Sequence, residues 1–169
     1  MVGSATPATK VLTTADVAHR VHSYRHERRT TAYGDAAVDA LAATIGVVPA
    51  QIFKTLVLQL SGGAWPGPAL AVAVLPVPTT LSPKSAATAL GASKATLADP
   101  SDAQRRTGYV VGGISPLGQR TPLPTVIDSS ATTWDRVLCS AGRRGLEIEL
   151  APDDLIRLTA ATVADIIVR

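Results

Sequence analysis

Lys54 stands inside one of the most apolar runs of the chain, with Ile52, Phe53, Leu56, Val57, Leu58 and Leu60 around it. An ammonium in such a run is costly unless its head reaches water or an anion. Strand alternation sets Lys54 with Ile52 and Leu56 on one face, and Phe53, Thr55 and Val57 on the other. The lysine marks either a cleft or a guarded strand edge. A second candidate is the stretch Tyr109-Val110-Val111-Gly112-Gly113-Ile114-Ser115-Pro116-Leu117-Gly118, too rich in glycine for a helix and too apolar for an ordinary surface loop. Glycines let a backbone approach a ligand and aim its N–H groups inward, where they can hold a developing oxyanion. The other reading of Gly112 and Gly113 is a tight turn between sheet elements. Asp128 follows Val126 and Ile127 at a strand end, where it either orients a bound amine or caps a turn. Tyr24 offers a hydroxyl or a ring face on the same side as His22.

Several chemistries lack their residues. The histidines are His19, His22 and His26, whose spacing does not match a zinc-protease helix, so no metal is expected. Cys139 is the single cysteine, which excludes an intrachain disulfide and fits a reducing compartment. It sits beside Val137 and Leu138 and reads as a small buried hydrophobe. No nucleophile elbow, phosphate-binding P-loop or dinucleotide fingerprint occurs. Sixteen Lys and Arg against thirteen Asp and Glu give a net charge of +3, which permits a polyanionic partner without demanding one. The basic residues cluster: Arg20, Arg25, Arg28 and Arg29, then the pairs Arg105-Arg106 and Arg143-Arg144. Residues 68–77 are the most apolar stretch, interrupted by proline and far short of the roughly 20 residues of a membrane helix. A soluble, cytoplasmic protein without a membrane partner is expected.

The elements that must position these residues are short. A chain of 169 residues buries about two-thirds of its surface on folding, enough for one core, and one domain over residues 1–169 is expected. Aromatic residues are only 4%, so that core must be aliphatic. Thr6-Pro7, Ser82-Pro83 and Asp99-Pro100 each read as a helix cap followed by proline in the first turn, opening helices over 7–18, 83–90 and 100–106. A further helix spans 34–45 and a last one 152–158. Strands are expected at 21–26, 52–60, 69–77, 95–97, 125–128, 136–139, 147–150 and 164–168. Strands and short helices mix without regular βαβ units. The class is α+β, built on a mixed, largely antiparallel, barrel-like sheet flanked by short helices.

Beyond these local readings, an ordered series of segments resembles the YbaK/EbsC family. They are Thr6-Pro7-Ala8, Ile52-Phe53-Lys54-Thr55-Leu56, Ala71-Val72-Ala73-Val74, Ala89-Leu90-Gly91-Ala92, Ala98-Asp99-Pro100, the run from Thr107 to Gln119, Leu123-Pro124-Thr125-Val126-Ile127-Asp128, and Gly142-Arg143-Arg144-Gly145-Leu146-Glu147-Ile148. The resemblance implies an aminoacyl-tRNA deacylase, similar to the free-standing enzymes that remove cysteine from tRNA(Pro) and related to the editing domain of some prolyl-tRNA synthetases. Binding alone separates small side chains poorly, so a second, hydrolytic site is needed. The implied partners are the acceptor end of aminoacyl-tRNA(Pro) and, as a candidate, prolyl-tRNA synthetase. No cofactor is implied, and a monomer or weak dimer is expected.

In that reading Lys54 contacts the 3′-terminal nucleotide and positions the ester. Gly112, Gly113, Ile114, Ser115 and Pro116 form the substrate loop. Asp128 lies near the aminoacyl group, Tyr24 matches the family's tyrosine after the first strand and binds substrate, and Thr55 lines the adenosine pocket, which its opposite strand face allows only through a twist or bulge. The protein supplies no nucleophile; the cysteinyl thiol attacks its own carbonyl. The alternatives are a deacylase for another small ester such as Ala-tRNA(Pro), and a tRNA- or synthetase-binding module without chemistry. The Trp65-Pro66-Gly67-Pro68 insertion departs from the family pattern.

Overall fold

A computed structural model describes residues 5–25 and 33–169; His26, Arg28 and Arg29 lie outside the described residues. In chain order the elements are helix α1 (Pro7–Thr14), strand β1 (His19–Ser23), α2 (Tyr33–Ile45), β2 (Phe53–Ser61), β3 (Ala69–Pro76), α3 (Pro83–Ala89), β4 (Lys94–Leu97), α4 (Pro100–Thr107), β5 (Thr125–Asp128), β6 (Val137–Arg143), β7 (Leu146–Leu150), α5 (Pro152–Thr159) and β8 (Thr162–Ala164). The cap-plus-proline signals hold. Thr6 Oγ1 accepts from Thr9 N at 3.1 Å, Ser82 Oγ from Ser85 N at 3.2 Å, and Asp99 Oδ1 from Ser101 N at 2.9 Å. Helix α1 stops short of the expected residue 18, because Asp16 takes φ 55° and Val17 N turns back to Leu12 O at 2.9 Å.

The strands form two open sheets, ordered β1-β7-β6 and β4-β2-β3-β5-β8. Pairing is antiparallel except for β3 with β5 and β5 with β8, so the sheet is mixed and largely antiparallel, as expected. The expected barrel-like closure is not formed. Among the described residues the two sheets touch through an isolated parallel bridge, Ile52 to Leu138, after which β2 and β6 separate. A register shift between Ser140 and Arg143 interrupts the β6–β7 ladder, as an extra residue in one strand does.

Alternation in β2 and β3 supplies two cores. Phe53, Val57, Val72 and Val74 meet Val137, Cys139, Ile148 and Leu150 of the three-stranded sheet. Leu58, Leu60, Ala71, Ala73 and Leu75 point the other way, onto Ala86 and Ala87 of α3. Because both faces are covered, both strands read as nearly continuous apolar runs. A third cluster joins Ala37 and Leu41 of α2 to Ile52 and Leu138.

The C-terminal strand falls earlier than expected, at Thr162–Ala164. Its parallel ladder ends at the Asp128–Ala164 pair. There the Asp128 carboxylate replaces the ladder: Oδ1 accepts from Ile166 N at 3.0 Å, while Oδ2 accepts from Ser130 N at 3.1 Å and Ser130 Oγ at 2.5 Å. Asp128 is fully buried. Substituting Asp128→Ala strands these donors, and urea denaturation is expected to show a loss of about 3 kcal/mol.

Candidate functional site

The site begins where β2 lacks a neighbour. On one side β2 pairs with β3 from Phe53 to Leu60; on the other, β4 joins only from Leu58 onward. Val77 N donates to Ile52 O at 2.8 Å, and Val57 O accepts from Ala98 N at 2.9 Å. These two bonds set the parity: even-numbered residues aim their peptide groups at β3, and Phe53, Thr55 and Val57 aim theirs outward. Between the Ile52–Leu138 bridge and the β4 ladder, that outward edge has no strand beside it among the described residues.

A cavity of about 310 Å³ occupies this gap. That is near the lower end of small-molecule sites, about 300–1,000 Å³. β2 contributes Phe53, Lys54, Thr55 and Leu56; the glycine loop contributes Val111, Gly112 and Ile114; Tyr24, Ser140 and Glu147 come from the three-stranded sheet side, and Asp35 and Ala37 from α2. Lys54 and Thr55 therefore meet one cavity from opposite faces of the strand. No bulge is involved, since the β2–β3 register runs unshifted. The cavity wraps the strand edge and receives both faces.

Lys54 Nζ donates to Thr79 O at 2.6 Å and to Val77 O at 3.2 Å. The two carbonyls hold the ammonium at the rim and leave one of its three N–H groups for a ligand. Burial lowers its pKa, and the nearby Asp35 carboxylate partly offsets this. Gly112 has φ 90°, a conformation glycine adopts without strain. Gly113 faces away: a Cβ there would lie 2.8 Å from Arg144 N, so loop and β6–β7 turn can approach only without a side chain.

Glu147 and Asp35 are the titratable cavity residues that sequence reasoning passed over, and Glu147 is the buried one. It lies on β7, paired with His22 on one side and Ser140 on the other. Burial pushes its carboxyl up to about 8, so at neutral pH it is mostly protonated. Tyr24 is pushed up to about 12, first by burial and then by Glu147. Glu147 Oε2 and Thr55 Oγ1 are buried without a hydrogen-bond partner among the described residues. Two orphaned polar atoms on one cavity are what a site for a polar ligand shows when empty of protein partners.

Of the expected residues, Lys54, Thr55, Tyr24, Gly112 and Ile114 converge on the cavity; Gly113, Ser115, Pro116 and Asp128 do not line it. Ser115 is fully buried, with Oγ accepting from Leu117 N at 3.2 Å, and shapes the loop from behind. Pro116 is buried as well. The acidic residues that line the cavity are Asp35 and Glu147, not Asp128. Among the described residues no three His, Cys, Asp or Glu side chains gather as a metal site needs.

Fold and cavity together define an aminoacyl-tRNA editing domain. The profile of that family matches residues 35–158, and the chain belongs to it. EbsC of Enterococcus faecalis, named as a candidate Cys-tRNA(Pro)/Cys-tRNA(Cys) deacylase, is 37% identical over 128 residues, 76% of this chain and 75% of its own length. The crystal structure of a candidate trans-editing enzyme for prolyl-tRNA synthetase superposes with a TM-score of 0.79 at 25% identity, covering 100% of this chain and 99% of its own.

The raised Glu147 pKa carries a stability signature. The folded state holds a proton that the unfolded state releases near pH 4.5, so stability is full below that pH and declines as pH rises to about 8. The slope approaches about 1.4 kcal/mol per pH unit. Urea titrations at a series of pH values should show this decline in the wild type and its loss in Glu147→Gln.

Proposed function

We propose that this chain is a trans-acting aminoacyl-tRNA deacylase that removes cysteine mischarged onto tRNA(Pro), with no protein nucleophile. The observation that carries this reading is the convergence of a tethered ammonium, a glycine backbone corner and a buried carboxyl on one small cavity. Their family membership and the candidate deacylase among the relatives support it.

Lys54 offers its remaining N–H to a phosphate oxygen of the terminal nucleotide and so places the 3′ ester. It does not act as a base, because it holds two carbonyls as a cation. Gly112 presents a backbone N–H where the ester carbonyl gathers negative charge, and Ile114 supplies apolar wall against the small side chain. Thr55 Oγ1 lines the part of the cavity assigned to the terminal adenosine. Glu147 and Tyr24 face the α-amine. A substrate ammonium beside Glu147 opposes the effect of burial and favours the carboxylate, so amine binding and ionisation reinforce each other.

Among the described residues no side chain is placed to attack. Cys139 is fully buried and does not line the cavity, and burial pushes its thiol far up. Among the described residues no histidine lines the cavity to activate Ser140 or Thr55. The substrate thiol fills the role. Its sulfur bonds to the carbonyl carbon, the bond to the ribose 3′ oxygen breaks, and the thiol proton ends on that oxygen. Water then opens the resulting thiolactone to cysteine. Holding sulfur and carbonyl together supplies much of the acceleration.

The test is deacylation of Cys-tRNA(Pro) by wild type and Lys54→Ala, with alanyl and seryl esters of the same tRNA beside it. Cysteine release by the wild type, slowed about 100-fold or more in the variant, is expected. Unchanged turnover and binding in Lys54→Ala would remove the lysine from the mechanism. Faster release of alanine than cysteine would reassign the substrate, and binding without release would leave a tRNA-binding module.

A further inference from the structure

Val111 is held at both of its backbone polar atoms. Its N–H donates to Gln104 Oε1 at 2.9 Å, and its C=O accepts from Arg144 Nε at 2.9 Å and Arg144 Nη2 at 2.7 Å. The arginine therefore grips one carbonyl with two parallel donors. Arg144 lies in the turn between β6 and β7, exposed, and does not line the cavity. Loop and turn are pressed together at this point, where Gly113 leaves room for the Arg143 and Arg144 backbone.

The Val111 carbonyl belongs to the same peptide unit as the Gly112 N–H. Among the described residues no peptide bond is cis. In a planar trans unit the C=O and N–H bonds point in opposite directions. A carbonyl turned out to Arg144 leaves the N–H turned the other way, toward the cavity that Gly112 lines. That N–H has no acceptor among the described residues. A cation bound to the carbonyl also withdraws electron density from the amide and makes its N–H a stronger donor.

We propose that Arg144 is a positioning residue for the deacylation reaction: it fixes and polarises the Val111–Gly112 peptide so that the Gly112 N–H meets the oxyanion. The assignment rests on the deacylase reading. Arg144 does not line the cavity, and in this role it acts through the peptide. Gln104 holds the preceding Val110–Val111 peptide through the Val111 N–H, so the Val111–Gly112 unit is gripped at its own carbonyl by Arg144 and anchored one unit upstream by Gln104 before substrate arrives. An arginine used instead to grip tRNA phosphate would act on affinity and on its salt dependence, and would leave the chemical step alone.

Single-turnover release of cysteine from Cys-tRNA(Pro), measured across enzyme concentrations, separates the two roles in wild type, Arg144→Ala and Arg144→Lys. Arg144→Ala should lower the maximal rate about tenfold or more, with little change in the half-saturating enzyme concentration, and Arg144→Lys should recover part of the loss. The Gly112 amide resonance, followed by NMR on the free protein, should move upfield in Arg144→Ala. If that variant does not fold, Arg144→Gln keeps one donor without the charge and carries the same readouts. A weaker half-saturation with an unchanged maximal rate would overturn the proposal, and so would an unmoved Gly112 resonance. A wild type that releases no amino acid would instead sink the deacylase reading, while the resonance still reports the arginine's grip.

Discussion

The unpaired edge of β2 is the constraint on which the site depends. A strand that must reach β4 at one end and β6 at the other cannot keep both neighbours through its middle. Residues between Ile52 and Leu58 are left with β3 on one side only among the described residues. An exposed edge of this kind normally invites another strand. Here the glycine loop and α2 border it, and the space enclosed is the cavity. The same gap explains why the sheets do not close: closure along β2 and β6 would fill the volume in which the lysine, the glycine corner and Glu147 meet.

The polar groups around that gap differ in how they are held. The Lys54 ammonium is tied by two carbonyls and keeps its charge beside Asp35. Glu147 has no such support, and burial alone makes its charged form costly. A buried carboxyl without a partner is destabilising, and a strand residue carrying one is best explained by the ligand it serves. Asp128 is the contrast. It is equally buried, but its two oxygens are occupied by Ile166 and Ser130, and it holds chain segments together.

Much of this was legible from residue order. The three cap-and-proline pairs mark helix starts because their physics is local. The runs 52–60 and 69–77 mark strands buried on both faces. Lys54 stood out because a charge inside such a run demands a reason. Thr55 was harder: alternation places it opposite Lys54, and only a cavity wrapped around a strand edge reconciles the two. Glu147 carried no warning. In Leu146-Glu147-Ile148-Glu149-Leu150 it alternates as an ordinary solvent-facing residue does, and Glu149, two residues on, is partly exposed and reaches His22 at 3.5 Å. Both lie between β1 and β6; what separates them is that Glu147 falls on the cavity and Glu149 does not, which spacing does not reveal. Asp128 misled for the opposite reason: an aspartate at a strand end suits a site and a cap equally well.

The burial of Cys139 has a further meaning for a protein proposed to handle a thiol. It is the chain's single sulfhydryl, 0% exposed, and does not line the cavity. A cysteinyl substrate held under oxidising stress finds no accessible sulfur on the native protein with which to form a mixed disulfide. The fold thereby keeps its catalyst from being captured by the reactivity of its own cargo.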